Sequence, residues 1–120
     1  MLPDTNGPRV FRALAGDAIE TTVSPYGSVR RLFTGEGLEL VWVRKENEEV
    51  DPDWFSQRSV DVIVMLQGGL RCEFDDPAFE KRNLVPGDVV VLPADTRCRA
   101  YRWPRDQSEA TVFVAAYPVS

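Results

Sequence analysis

Short apolar segments, each followed by turn-forming residues, run along most of this 120-residue chain and constrain its fold more than any other feature. β-branched and aromatic residues are common in them, and these residue types favour strands. Some segments also have the period of two of a half-buried strand, as at Leu70, Cys72 and Phe74. Glycine and proline mark the turns between segments. The pattern predicts nine strands, at 18–23, 28–34, 38–44, 60–66, 70–74, 81–84, 89–92, 97–103 and 110–117.

The sequence predicts no clear helix. The best candidate is 9–19, where apolar residues have helical spacing but Gly16 interrupts the pattern. Short strands separated by turns are typical of a sandwich or a barrel. Residues 1–9 are polar and contain proline and glycine, which predicts a flexible N-terminal arm. We therefore expect an all-β fold in which residues 10–120 form one barrel domain.

The chain contains no histidine, and this absence excludes several kinds of chemistry. A chain without histidine supplies no Ser-His-Asp or Cys-His catalytic unit of its own. It also supplies no imidazole metal ligand and no histidine general base. Any acid-base or ligand-binding role therefore belongs to carboxylates, thiols, hydroxyls, amides or arginines.

Cysteine content and hydropathy predict a cytoplasmic protein. The two cysteines, Cys72 and Cys98, are too few for a disulfide-stapled secreted fold and do not form a CxxC pair. The first residues contain no apolar run of the kind that a signal peptide needs. The longest apolar run, 62–66, is far shorter than a membrane span. We expect no membrane partner.

Two stretches, 61–68 and 84–95, resemble the two motifs of the cupin superfamily. In the first motif a glutamate precedes a glycine with six residues between them, and Asp61 and Gly68 have that spacing. In the second motif the positions of Gly87 and Pro93 are retained. The chain is also similar to small single-domain bacterial cupins. The resemblance implies the RmlC-like double-stranded β-helix, a jelly-roll barrel.

The motif positions that hold metal ligands in cupins carry other residues here. Ser56 or Gln57 stands at the position of one histidine, Cys98 at that of another, and Arg102 at that of an asparagine. The resemblance implies that Gln57, Asp61 and Cys98 line the barrel cavity. One amide, one carboxylate and one thiol are a poor ligand set for a transition metal. We therefore expect no metal and no other cofactor.

The sequence allows more than one interpretation of Asp61 and of Cys98. Asp61 is either a ligand-binding group or a polar residue paired with Arg102, whose strand parity is the same as that of Cys98. Cys98 is a buried inert thiol, a reactive thiolate whose pKa is lowered by nearby arginines, or the disulfide partner of Cys72. The faces of four further candidates remain open: Arg31, Trp42, Arg44 and Tyr101.

Arginines and aromatic residues alternate near the C-terminus, a pattern that also occurs in nucleic-acid-binding proteins. The residues concerned are Arg97, Arg99, Tyr101, Arg102, Trp103 and Arg105. The chain is acidic, however, with a formal net charge of −5, and a strand distributes these residues over two faces. We expect no nucleic-acid partner. The acidic stretch 46–53 predicts a solvated loop or an acidic rim that disfavours anions.

Two functions from different classes fit these observations. The favoured one is a metal-independent barrel that binds an unidentified small molecule as a sensor, carrier or accessory protein, with the ligand-binding residues Gln57, Asp61, Cys98, Arg102 and Trp42. The alternative is a metal-independent isomerase, epimerase or lyase in which Asp61, Cys98 or Tyr101 is the acid or base. A third possibility is an interaction domain. We also expect a homodimer, formed through edge strands and apolar faces.

Overall fold

The computed structural model describes residues 7–14, 22–24, 27–46, 50 and 53–119. These residues form nine strands, and no helix occurs among them. The strands are β1 (Thr22–Ser24), β2 (Gly27–Gly35), β3 (Leu38–Lys45), β4 (Asp61–Gln67), β5 (Leu70–Phe74), β6 (Arg82–Leu84), β7 (Val89–Leu92), β8 (Cys98–Arg102) and β9 (Thr111–Pro118).

The predicted all-β fold is confirmed, and β2 to β9 match the predicted segments to within one residue at each end. The first strand was predicted at 18–23, of which 18–21 lie outside the described residues. The candidate helix at 9–19 is not helical over 9–14, and its remaining residues are also outside the described part. Residues 1–6 of the predicted arm and most of the acidic stretch 46–53 also lie outside the described residues. No helix of the described part is long and apolar enough to cross a membrane.

The strands form two antiparallel sheets that face each other. The large sheet has six strands in the order β1-β2-β3-β9-β4-β7, and the small sheet has three in the order β6-β5-β8. The last strand, β9, lies in the middle of the large sheet between β3 and β4. A short bridge between Phe55 and Cys98 extends the small sheet at β8. The two sheets enclose the space in which the candidate site lies.

Local turn chemistry explains the hairpin between β2 and β3. Gly35 pairs with Leu38, so the loop has only two residues, Glu36 and Gly37. Their φ angles are 51° and 76°, both in the left-handed region. Two-residue hairpin loops require this geometry because it matches the twist of the flanking strands. The Gly-Glu-Gly sequence at 35–37 thus forms a tight hairpin.

The core has one cluster on each face of the large sheet. The inner cluster lies between the sheets and consists of Ile63, Met65, Leu70, Cys72, Leu84, Leu92, Cys98, Phe113 and Ala115. The outer cluster consists of Leu32, Trp42 and Val112, with Phe11 and Ala13 packed against it. Trp42 is 1% exposed, and its Nε1 donates a hydrogen bond to the Ala13 carbonyl at 2.8 Å. Trp42 therefore faces away from the cavity, which corrects its prediction as a ligand-binding residue.

The chain passes from the large sheet to the small sheet at Gly68 and Gly69, a segment held by buried polar contacts. The Gly69 amide donates to Gln107 Oε1 at 3.0 Å, and the Trp103 amide donates to the Gly69 carbonyl at 3.1 Å. The same carbonyl accepts a hydrogen bond from Oγ1 of the fully buried Thr111 at 2.7 Å. Because these partners satisfy the buried backbone, they hold the two sheets at one relative position.

Candidate ligand-binding cavity

A cavity of about 460 Å³ lies between the two sheets. Ligand pockets commonly have about 300–1,000 Å³, so this volume suits a small molecule. The wall comes from the inner face of the large sheet, from the small sheet and from the segment 53–57. Most of it is apolar, formed by Val29, Val41, Val43, Phe55, Ile63, Leu70, Leu84, Val90, Leu92, Ala100, Phe113 and Ala115.

Strand alternation and register account for the apolar wall. Val41 of β3 pairs with Ala115 of β9, which in turn pairs with Ile63 of β4. Ile63 also pairs with Val90 of β7. Because directly opposite residues point to the same face, these four side chains form one continuous row across the large sheet. The row supplies the middle of the cavity wall.

The next inward-facing row of the large sheet is polar. Glu39 pairs with Tyr117, and Asp61 pairs with Leu92. Arg31 forms an ion pair with Glu39, and the side chains of Gln57 and Tyr117 lie next to each other. All five polar residues line the cavity. We call this set the polar end, consisting of Arg31, Glu39, Gln57, Asp61 and Tyr117.

Asp61 is the most unusual member of the polar end. The residue is 4% exposed, and its Oδ1 has no hydrogen-bond partner among the described residues. Burial raises the pKa of this carboxyl above its ordinary value of 3.8 because the apolar surroundings penalise the charged form. A buried carboxylate oxygen without a hydrogen-bond donor has lost its hydration and gained no compensating interaction. Asp61 therefore lines the cavity and carries a buried carboxylate oxygen whose hydrogen-bonding capacity no described residue uses.

Asp61→Asn is expected to stabilise the protein at neutral pH. Because the pKa of Asp61 is higher in the folded than in the unfolded state, wild-type stability is greatest below the unfolded pKa and falls as pH rises through the folded pKa. Asparagine removes the charge but keeps a buried acceptor, so we expect a gain of about 1 kcal/mol at pH 7.5. The gain should vanish near pH 3.5, which urea unfolding at several pH values measures.

The exposed carboxylate of Asp106 provides the control for this measurement. Asp106→Asn should change the free energy of unfolding by less than about 0.5 kcal/mol. A loss of stability in Asp61→Asn at pH 7.5 would contradict the assignment of Asp61 as an unpartnered carboxylate and indicate a structural partner instead.

Cys72 and Cys98 lie side by side in the cavity wall as free thiols. They are on the paired strands β5 and β8, where Cys72 is opposite Ala100 and Phe74 is opposite Cys98. Each thiol affects the other: Cys72 lowers the pKa of Cys98, whereas Cys98 and burial raise the pKa of Cys72. The two residues are 2% and 4% exposed, so the pair is part of the buried wall.

The residues at the cupin metal positions do not fit a transition metal. Gln57, Asp61 and Cys98 all line the cavity, as the resemblance implied. They offer one amide oxygen, one hard carboxylate and one soft thiol that lies beside a second thiol, that of Cys72. Among the described residues, no group of three or more histidine, cysteine, aspartate or glutamate side chains is arranged to hold a metal ion. No step through a metal follows from this donor set.

Arg102 does not line the cavity and does not pair with Asp61, which corrects both of its predicted roles. Its Nη1 donates to the carbonyls of Glu46 and Arg105, each at 3.0 Å, and its Nη2 donates to that of Glu109 at 3.3 Å. The prediction that Arg102 is on the same face of β8 as Cys98 is correct, but the face does not give the position of the residue along the strand. Cys98 lies near Asp61, whereas Arg102 is four residues further along β8, which is about 13 Å of strand.

Tyr101 lies on the opposite face of β8 from the cavity. Its hydroxyl donates to Glu73, and this hydrogen bond is the main reason why the pKa of Glu73 is lowered. The phenol is therefore committed to a carboxylate outside the cavity. This position corrects the prediction of Tyr101 as an acid or base for a bound ligand. Arg44 is likewise outside the cavity wall and pairs with Glu46 at 2.6 Å.

Two other arginines of the aromatic-rich segment, Arg97 and Arg99, contact carboxylates and an aromatic ring, and Arg99 also lines the cavity. Arg99 donates to Glu73 at 3.0 Å and stacks on Trp54, with its guanidinium carbon 4.4 Å from the ring centroid. Arg97 pairs with Asp75 at 2.7 Å. These contacts give the arginines a role in tying the small sheet to its flanking loops.

Sequence reasoning missed Glu39 and Tyr117 and left the face of Arg31 open. All three residues are on strands that were predicted, and the parity of Tyr117 follows once Phe113 and Ala115 face inward. The missing information was the register between β3, β9 and β4, which brings Glu39, Tyr117 and Asp61 into adjacent positions. Register depends on pairing between distant segments, and a single sequence does not contain it.

Comparison with known proteins identifies the fold. No family model and no curated protein matches this chain. An RmlC-like cupin of Methanocaldococcus jannaschii with a double-stranded β-helix fold superposes with a TM-score of 0.64 at 16% identity, over 79% of this chain and 82% of that one. A proposed mannose-6-phosphate isomerase of Ralstonia eutropha JMP134 gives 0.71 at 21% identity, over 94% and 100%. KdgF from Halomonas sp. gives 0.66 at 24% identity, over 87% and 92%.

The chain has the cupin fold, the double-stranded β-helix. The likeness extends over most of this chain and of each structure compared. The fold expected from the motif resemblance at 61–68 and 84–95 is thus confirmed. Because one fold supports many unrelated functions, the function must be argued from the cavity itself.

Proposed function

We propose that this protein is a metal-independent cupin that binds a small molecule in its barrel cavity, as a sensor, carrier or accessory protein. The observation that carries the proposal is the combination of an apolar cavity of about 460 Å³ with the buried, unpartnered Oδ1 of Asp61 at one end. Apolar walls supply affinity through the area they remove from water, and a few polar groups fix orientation.

The binding residues in this proposal differ from those expected at first. Gln57, Asp61 and Cys98 are kept because they line the cavity, and Glu39 and Tyr117 are added. Metal independence is supported by the mismatched donor set. The homodimer and the cytoplasmic location remain predictions. The exposed valines of the edge strand β7, Val89 and Val91, support the homodimer.

A second candidate function is a metal-independent isomerase, epimerase or lyase with Asp61 as the acid or base. The specific observation in its favour is the raised pKa of Asp61, since a carboxyl group with a raised pKa can transfer protons closer to neutral pH. Catalysis requires that a bound compound is converted and that Asp61→Asn abolishes the conversion. A binding protein returns every bound compound unchanged.

Filling the cavity is expected to weaken binding. Val41→Phe places a larger side chain in the middle of the wall, so fragments found by an NMR screen of the wild type should lose at least about tenfold in affinity. The fragments should shift the amide signals of Ile63 and Ala115, which belong to the same row. Chemical-shift titration measures both effects.

Val85→Phe is the matched control, because the same exchange is made at a side chain that is 57% exposed and outside the cavity wall. Fragment affinities of this variant should equal those of the wild type. Binding that survives Val41→Phe undiminished, with shifts confined to residues outside the wall, would refute the cavity as the binding site.

A further inference from the structure

We propose that the ligand is a protonated amine with an apolar body, whose ammonium group lies against Asp61. The inference rests on the proposed function, since it names the class of molecule that the same cavity takes. Three properties of the described wall support it: which of its carboxylates already have partners, which of its cations already have partners, and the small number of its hydrogen-bonding groups.

Asp61 is the carboxylate that a ligand can use. Three described carboxylates line the cavity: Glu39, Asp53 and Asp61. Glu39 already forms an ion pair with Arg31, and Asp53 makes interactions of its own. Oδ1 of Asp61 is buried and has no partner among the described residues. A cationic donor at this position would supply the hydrogen bond and the opposite charge that the desolvated carboxylate lacks.

The cations of the wall do not offer an alternative site for an anion at this end. Arg31 is held by Glu39, and Arg99 is held by Glu73 and stacked on Trp54. Lys45, the third cation of the described wall, has interactions of its own and lies six residues from Glu39 along β3, away from the polar end. A carboxylate or phosphate placed at the polar end would therefore meet Asp61 before it met an available cation. Like charges that share a desolvated site repel strongly, because water does not screen them there.

A polyhydroxylated ligand would find too few partners. The polar end has only two uncharged hydrogen-bonding side chains, those of Gln57 and Tyr117, and they lie next to each other. The middle of the wall is formed by valine, isoleucine, leucine, alanine and phenylalanine side chains. Each hydroxyl buried there without a partner would lose affinity. A single charged donor on an apolar body matches the distribution of polar groups much better.

Three indole probes of nearly equal shape test the inference: tryptamine, tryptophol and indole-3-acetate, which carry a cationic, a neutral and an anionic head group. Isothermal titration calorimetry at pH 7.5 should show that tryptamine binds about 10–100-fold more tightly than tryptophol, the range expected for a hydrogen bond to a charged group. Indole-3-acetate should bind most weakly. In Asp61→Asn, the affinities of tryptamine and tryptophol should agree to within about twofold.

Asp106→Asn removes an exposed carboxylate and should keep the wild-type order of affinities. Equal binding of tryptamine and tryptophol to the wild type, or an amine preference that persists in Asp61→Asn, would overturn the inference. If tryptophol binds the wild type without that preference and Val41→Phe abolishes its binding, the cavity stands as the binding site and only the amine class is wrong. If no probe binds the wild type at millimolar concentration, both proposals fail.

Discussion

Arg102→Met should lower the free energy of unfolding by about 2–4 kcal/mol, measured by urea unfolding at pH 7.5. Arg102 is 6% exposed, and its guanidinium donates to three backbone carbonyls, those of Glu46, Arg105 and Glu109. Methionine preserves much of the apolar volume but has no donor, so all three carbonyls lose their charged partner. The segment after β3 and the loop between β8 and β9 would then lose the side chain that joins them.

Two further variants separate geometry from charge. Arg102→Lys keeps the charge but lacks the planar fork that reaches carbonyls on two segments, so we expect it to lose about as much stability as Arg102→Met. Arg97→Met breaks an ion pair whose arginine side chain is 60% exposed, and such pairs contribute less than about 1 kcal/mol. Full stability in Arg102→Lys would show that charge alone matters. Full stability in Arg102→Met would show that hydrogen bonds to water replace those of Arg102 without lowering the free energy of unfolding.

Gly69→Ala should be more damaging still, with a loss of at least about 3 kcal/mol or a failure to fold. A Cβ atom at this position would overlap the backbone carbonyl oxygen of Trp103. That carbonyl cannot easily move away, because the amide of Trp103 is hydrogen-bonded to the Gly69 carbonyl. Relief would require the crossover between the sheets to move, and the contacts of Gln107 and Thr111 would move with it. Soluble yield, circular dichroism and urea unfolding together measure the effect.

Gly35→Ala is the control for the loss of a glycine as such. The atoms nearest to a Cβ at Gly35 belong to the Phe33 ring, the closest at 3.2 Å, and a ring at the end of a side chain can shift. We expect a change of less than about 1 kcal/mol. Wild-type stability in Gly69→Ala would mean that the crossover is much less tightly held than its hydrogen bonds indicate.

The strands were predictable because their causes are local. Alternation of side chains, β-branched and aromatic content, and turns such as that at Glu36 and Gly37 act over a few residues. For that reason β2 to β9 agree with the sequence prediction to within one residue at each end. The position of β9 between β3 and β4 is not local, since it pairs segments separated by much of the chain.

The candidate site was predictable only where a motif located it. The cupin-like spacing placed Gln57, Asp61 and Cys98 at the cavity, and all three line it. Trp42 and Tyr101 were assigned without knowledge of which strand face meets the cavity, and both lie on the other face. Arg102 has the inward parity that was expected but lies too far along β8 to reach Asp61.

The sequence by itself determined the strands, the tight turns and the absence of histidine ligands, because residue type and short-range spacing control these properties. The cupin-type fold was implied by the resemblance of two stretches to the cupin motifs. Only the tertiary structure decided which polar side chains meet. Register brings Glu39 beside Tyr117, pairs Arg31 with Glu39 and leaves Oδ1 of Asp61 without a partner. The physical reason is that a side chain's partner depends on distant strands that pack against it, and a carboxylate's chemistry depends on that partner.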